Sequence, residues 1–147
     1  MKRADVPEGL ANREVPEYDT TPPVAGVPLT QRRIALISTA GLMHRGDKPF
    51  VLGATDYRIL DSQSDDDILM SHVSTNFDRS GFVQDINVVL PLDRLREKAQ
   101  AKEIGSVARY HYSFMGASSP QKMVPAAAQL ASNLLDDEVD GLILVPV

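Results

Sequence analysis

An unbroken apolar run near the end of the chain, Leu142-Ile143-Leu144-Val145, constrains the fold more than any other stretch. Asp140-Gly141 sets it off on one side and Pro146-Val147 on the other. Such a run, without polar alternation, suits a strand buried on both faces, the habit of parallel strands in α/β domains. In open α/β sheets the chemistry sits beyond the carboxyl ends of the strands, on the loops that leave them. Residues 141–147 are therefore expected to form a core strand whose carboxyl end marks the functional edge. With no exit loop or following helix in the sequence, the sheet is expected to be incomplete at this end, in the first half of a longer protein.

The remaining segments fit an α/β fold with an open, mostly parallel sheet and flanking helices, in flavodoxin- or Rossmann-like layers. Residues 1–30 hold Pro7, Pro16, Pro22, Pro23 and Pro28 with little periodicity, and read as an extended arm that Tyr18, Val24, Val27 and Leu29 could anchor. Residues 31–147 then form one α/β domain. Arg33 to Ser38 is the first strand, leading through Thr39-Ala40-Gly41 into a polar loop to Phe50. Tyr57 to Leu60 is a second. Asp65-Asp66-Asp67 is expected to cap a short helix over Ile68, Leu69 and Met70, since carboxylates favour helix N-termini. Ser71 to Asp85 is polar and without period, and Ile86 to Leu90 reads as a strand. Pro91 opens a helix with Leu92, Leu95 and Ala99 on one face, stopped by Gly105. Val107 to Phe114 alternates, so that Arg109 and His111 point the same way. Ser118-Ser119-Pro120 opens the last helix, with Met123, Ala127, Leu130 and Leu134 as its stripe and Pro125 in its first turn or at a kink.

Composition narrows the partners. The net charge of −5 and the lack of a long Lys/Arg cluster argue against a nucleic-acid or anionic-membrane partner. No apolar run approaches the ~20 residues of a membrane-crossing helix, and Met1 to Leu10 carries no secretory h-region, which leaves the cytoplasm as the expected location. The chain has no cysteine, so disulfides, thiolate metal sites and cysteine nucleophiles do not arise within it. His44, His72 and His111 could in principle ligate a metal in a hydrolase. They lack the short spacings of such sites, and no metal is expected. His72 stands near Asn76, Asp78, Arg79 and Asp85, and His111 beside Arg109 and Tyr110. Paired Arg and His residues suit carboxylate binding and proton transfer. His72, Arg79, Asp85 and His111 are the candidate catalytic residues, and His44, Arg109 and Tyr110 the candidate substrate-binding ones.

At these residues the chain resembles the selenoprotein B-type subunits of glycine, sarcosine, betaine and D-proline reductases. The resemblance rests on residues 33–50, 56–60 and 71–97, and extends through 104–117 and 139–147. It implies an α/β protein that reductively cleaves a C–N bond in a small amino acid or its N-methylated relative. It further implies dithiol electrons and partner subunits of a reductase complex. The apolar run 142–145 needs cover on both faces, so the chain alone is expected to be poorly soluble or oligomeric. In the family, a selenocysteine or cysteine follows a strand like 141–147, so a selenocysteine is expected immediately after Val147 if the reading frame continues. This chain itself brings no cofactor. Its absence of cysteine also fits a second reading, a redox-inert binding or scaffolding subunit that pairs with a separate catalytic chain.

Overall fold

The computed structural model describes residues 25–74 and 79–147. The arm up to Val24, with Tyr18, and the candidate neighbours Asn76 and Asp78 lie outside the described residues. In chain order the elements are β1 (Arg33–Ser38), β2 (Leu42–His44), β3 (Tyr57–Asp61), β4 (Ile68–Met70), α1 (Ser80–Gln84), α2 (Leu92–Gln100), β5 (Ser106–Val107), β6 (Tyr110–Phe114), α3 (Pro120–Asp136) and β7 (Gly141–Val145). The main sheet is built on β1. Along one of its edges β5 and then β6 run parallel to it, with Arg33 opposite Ser106 and Ser38 opposite Ser113. Along the other edge β7 pairs at five positions, from Ile34 opposite Gly141 to Ser38 opposite Val145. β3 closes the far side, antiparallel to β6.

Alternation along β1 explains the layers. Ile34 and Leu36 face a cluster with Leu42, Leu60, Val89, Leu90 and the α2 residues Leu92 and Leu95. Ala35 and Ile37 face Tyr112, Phe114 and the α3 residues Leu130 and Leu134. Two apolar faces require two covers, and one helix lies on each. The result is the expected α/β class: a mostly parallel sheet between helices.

Several local expectations are corrected. Ile68–Met70 is a strand, not a helix: it pairs antiparallel with Leu42–His44 inside what reads as a polar loop. Three apolar residues cannot carry the cost of helix nucleation, whereas an adjacent strand satisfies their backbone directly. Ile86–Val88 is a 3-10 turn rather than the start of a strand, because the Asp85 carboxylate accepts from Asn87 N–H and locks the chain into a turn. Within the aperiodic stretch, Ser80–Gln84 forms one short helix. The expected strand from 107 to 114 breaks at Ala108-Arg109, outside both β5 and β6. The second strand reaches Asp61, one residue past Leu60. α2 ends at Gln100, with Lys102 in the left-handed region, well before Gly105. α3 runs through Pro125, and Ala126 replaces the exposed Ala127 in the buried stripe.

β7 departs from two-sided burial while matching the expected incompleteness of the sheet at this end. It lies at the open edge of the sheet with Leu142, Ile143 and Leu144 exposed, the last of them 67%. The apolar run does form a parallel strand on β1, but its three central side chains are only partly covered and no strand pairs with its outer edge among the described residues.

Candidate functional site

The carboxyl ends of β1, β6 and β7 meet at one edge, and close backbone approach holds them there. Gly41 N–H donates to Phe114 O at 2.8 Å, and Thr39 N–H to Val145 O at 3.1 Å. The Thr39 hydroxyl then binds Val147 twice, accepting from its N–H at 2.8 Å and donating to its carbonyl at 3.4 Å. Two glycines permit this. Gly116 has φ +86°, and a Cβ there would sit 2.6 Å from Thr39 O; Gly41 has φ +65°, and its Cβ would sit 2.9 Å from His72 Cα. Only a residue without a side chain takes such a conformation against a neighbouring backbone.

Behind this edge two buried serines serve the turn out of β1. Ser38 Oγ accepts from Ala40 N–H, and Ser113 Oγ accepts from Leu42 N–H at 2.8 Å. Polar side chains in the core are thus spent on backbone donors that have left the strand ladder.

His72 lies at this edge because Ser71 N–H donates to Gly41 O. It is 7% exposed. Its Nδ1 accepts from Ser74 N–H at 3.1 Å, and Arg79 Nη2 donates to the His72 and Ser74 carbonyls. Burial is the main cause that lowers the His72 pKa, partly offset by the Ser74 bond and reinforced by the Arg79 charge. The arrangement therefore presents an imidazole kept neutral next to a fixed guanidinium. Such a pair can take up a proton and favour a nearby anion.

The other candidates fall elsewhere. His44, Arg109 and Tyr110 gather around Asp61, a residue that sequence reasoning passed over. Asp61 N–H donates to His44 Nε2 at 2.9 Å. Its carboxylate takes a two-point pair from Arg109, with Nη2 at 2.7 Å and Nε at 3.1 Å. That pair holds the Asp61 pKa below, and the Arg109 pKa above, their ordinary values. The Arg109 guanidinium also stands 5.0 Å from the centre of the Tyr110 ring. This cluster lies at the amino end of β6, since Asp61 pairs with Tyr110.

His111 is wholly buried within β6 and reaches across to β1, where its Nδ1 accepts from Leu36 N–H at 3.0 Å. It fills the gap that the break at Ala108-Arg109 leaves in the ladder. Asp85 is exposed and spends its carboxylate on Asn87. The structure thus joins His72 with Arg79, joins His44, Arg109 and Tyr110 through Asp61, and brings neither His111 nor Asp85 into hydrogen-bond contact with either group. Each histidine accepts a different backbone N–H. Among the described residues no group of three or more His, Asp or Glu side chains is placed to hold a metal ion. Nor is any helix there long and apolar enough to cross a membrane.

Thr39 is the other residue missed as a functional candidate. Its only sequence signal is its place as the first residue after a core strand.

The family model described as glycine/sarcosine/betaine reductase selenoprotein B matches residues 7–147. D-proline reductase subunit gamma of Acetoanaerobium sticklandii is 29% identical over 132 residues, covering 84% of this chain and 54% of the relative. Sarcosine reductase complex component B subunit beta of Peptoclostridium acidaminophilum is 28% identical over 139 residues, 88% of this chain and 31% of the relative. This chain therefore spans about half of the first and a third of the second. Both relatives are named as subunits of larger reductases. No solved structure matches. The chain belongs to the glycine/sarcosine/betaine reductase selenoprotein B family.

Proposed function

We propose that this chain is the N-terminal portion of a selenol- or thiol-dependent reductase subunit that cleaves the C–N bond of a small amino acid. In that reaction the amine leaves, the carbon takes an electron pair and a proton, and a dithiol is oxidised to a disulfide. The observation that carries the reading is the meeting of three strand ends at one edge in a chain of this family. Thr39 fixes Val147 there, close to where Gly41 abuts His72. A redox residue directly after Val147 would enter the chain at this clamp, where a selenol or thiol would react as its anion. Arg79 would favour that anion, and His72 would handle a proton. His111 would act from within the sheet and Asp85 by orienting a basic group. His44, Arg109 and Tyr110, held by Asp61, would contact the amino-acid substrate. Other subunits of the complex and a dithiol donor are the implied partners, in an oligomeric cytoplasmic assembly.

The lack of cysteine in the chain favours a second reading, a redox-inert binding or scaffolding subunit beside a separate catalytic chain. The codons after Val147 and the elemental content of the native protein separate the two. The first reading expects UGA followed by an in-frame, cysteine-containing continuation, with stoichiometric selenium, or a cysteine codon in its place. UAA or UAG there, with no selenium in the native protein, leaves the scaffolding reading.

A further inference from the structure

The carboxyl end of α3 carries an electrostatic arrangement that the reductase reading does not use. Asp136, Asp137 and Glu138 stand in succession where this 17-residue helix ends, and its last turn has no basic residue. The C-terminal end of a helix is its negative pole, so carboxylates there are unfavourable unless a cation offsets them. Arg33 supplies part of that offset through one contact, Nη2 to Asp137 Oδ1 at 2.5 Å. Asp137 Oδ2 remains buried without a hydrogen-bond partner, and Asp136 has no ion-pair or hydrogen-bond partner among the described residues.

These carboxylates line a cavity of about 310 Å³ against the aromatic face of the sheet, with Ile59, Tyr110, Tyr112 and Asn133 as its other walls. Tyr112 is 1% exposed, yet its hydroxyl makes no hydrogen bond among the described residues. Its neighbours are already engaged: Asn133 Nδ2 donates to the Tyr57 hydroxyl, and Tyr57 packs edge-on against Tyr112. Burial, reinforced by the Asp137 charge, pushes the Tyr112 pKa up to about 12, so the hydroxyl stays protonated and offers lone pairs to a donor. Arg109 is held by the Asp61 carboxylate and feels the Asp137 charge only at longer range. An aromatic wall, a carboxylate with a vacant acceptor, a helix C-terminus and the hydroxyl of a cavity-lining tyrosine all favour positive charge.

The geometry points to this cavity as a binding site for an organic cation, an ammonium or guanidinium group, presented by a free amine or by a lysine or arginine of another chain. The cation would lie near Asp136 and Asp137 Oδ2, with its N–H groups toward the Tyr112 hydroxyl and its apolar stem on Ile59 and Tyr110. The site lies on the α3 face of the sheet and shares its Tyr110 wall with the residues proposed to contact the amino-acid substrate, while Asp136 and Asp137 belong to it alone.

The test is an NMR titration of the 147-residue chain at constant ionic strength, following the Tyr110 and Tyr112 amides and the Asn133 side-chain amide. The probes are n-butylammonium, methylguanidinium and the capped tripeptides Gly-Lys-Gly and Gly-Arg-Gly, with sodium as the control. Saturable shifts with the organic cations and none with sodium are expected. Asp136→Asn, an exposed change, should weaken binding about three- to fivefold, and Tyr112→Phe by about threefold or more through the lost hydroxyl. Tighter binding of the tripeptides than of the free cations would assign the site to a protein partner, and the reverse order to a small molecule. Either order supports the site. No saturable shift, or shifts whose midpoints are unchanged in both variants, would overturn it.

Discussion

At the scale of single residues, His111 shows how a polar ring can be required inside an apolar sheet. It accepts the Leu36 N–H at a break in the ladder, so the neutral ring is the native form. Burial, reinforced by the Arg96 charge and partly opposed by Asp137, depresses its pKa from 6.5 to about 4. Between those values the unfolded chain binds a proton that the folded chain refuses. The stabilisation is fully present above about pH 6.5 and is lost as pH falls toward 4, a change of about 3 kcal/mol. His111→Asn keeps a side-chain oxygen near the Leu36 N–H but cannot titrate. Urea unfolding at several pH values should find the variant less stable than the parent at pH 7, with the difference shrinking toward pH 4. Parallel pH profiles for the two proteins would refute the assignment. His44 shows the same use of a ring nitrogen as a backbone acceptor, toward Asp61 N–H. Neither role is visible in the sequence, because the backbone donors they serve lie 75 and 17 residues away.

At the scale of elements, legibility followed the strength of the local signal. The first strand, both longer helices and the parallel last strand have clear periodicity or an uninterrupted apolar run, and all four form close to where the sequence puts them. β2 and β4 are three residues each and acquire their form only from pairing with one another, so Ile68–Met70 reads as either structure in isolation. Arg79 and His72 could be listed from the sequence as candidates, but the Thr39–Val147 clamp could not, because it joins residues 108 apart. β7 carries the clearest element-level prediction. Its outer edge and exposed apolar side chains make a template for pairing with another chain, and edge strands are ordinarily guarded by charge. Leu144→Lys, at a position 67% exposed, should reduce self-association in sedimentation velocity while changing stability by about 0.5 kcal/mol or less. If the unmodified chain sediments as a monomer at tens of micromolar, the edge is not the association site that its exposure suggests.

At the scale of the whole molecule, one sheet separates two apolar cores. Leu95 belongs to the core under α2 and Leu130 to the core under α3, with β1 contributing alternate residues to each. Leu95→Ala and Leu130→Ala should each cost about 2–4 kcal/mol. Their effects should add to within about 0.5 kcal/mol, since the two sites share no side-chain partner. Equilibrium denaturation of the two single variants and the double variant measures this. A coupling well above that value would mean that the sheet transmits strain between its faces.

The central position of β1 also sets a timetable for folding. It is the first of the described strands in chain order, yet the Asp140 side chain that caps the start of its pairing with β7 lies 107 residues along the chain from Arg33. Until residues 141–145 leave the ribosome, the edge of β1 that they will occupy stays open, and its opposite edge must also wait for β5 and β6. Loop closures of that length precede the contacts that reward them, which makes assembly slow and leaves a nascent chain vulnerable to pairing with its neighbours. Ser38 can hold the turn out of β1 by itself, since its hydroxyl accepts from Ala40 two residues on, whereas Ser113 joins only once β6 is in place.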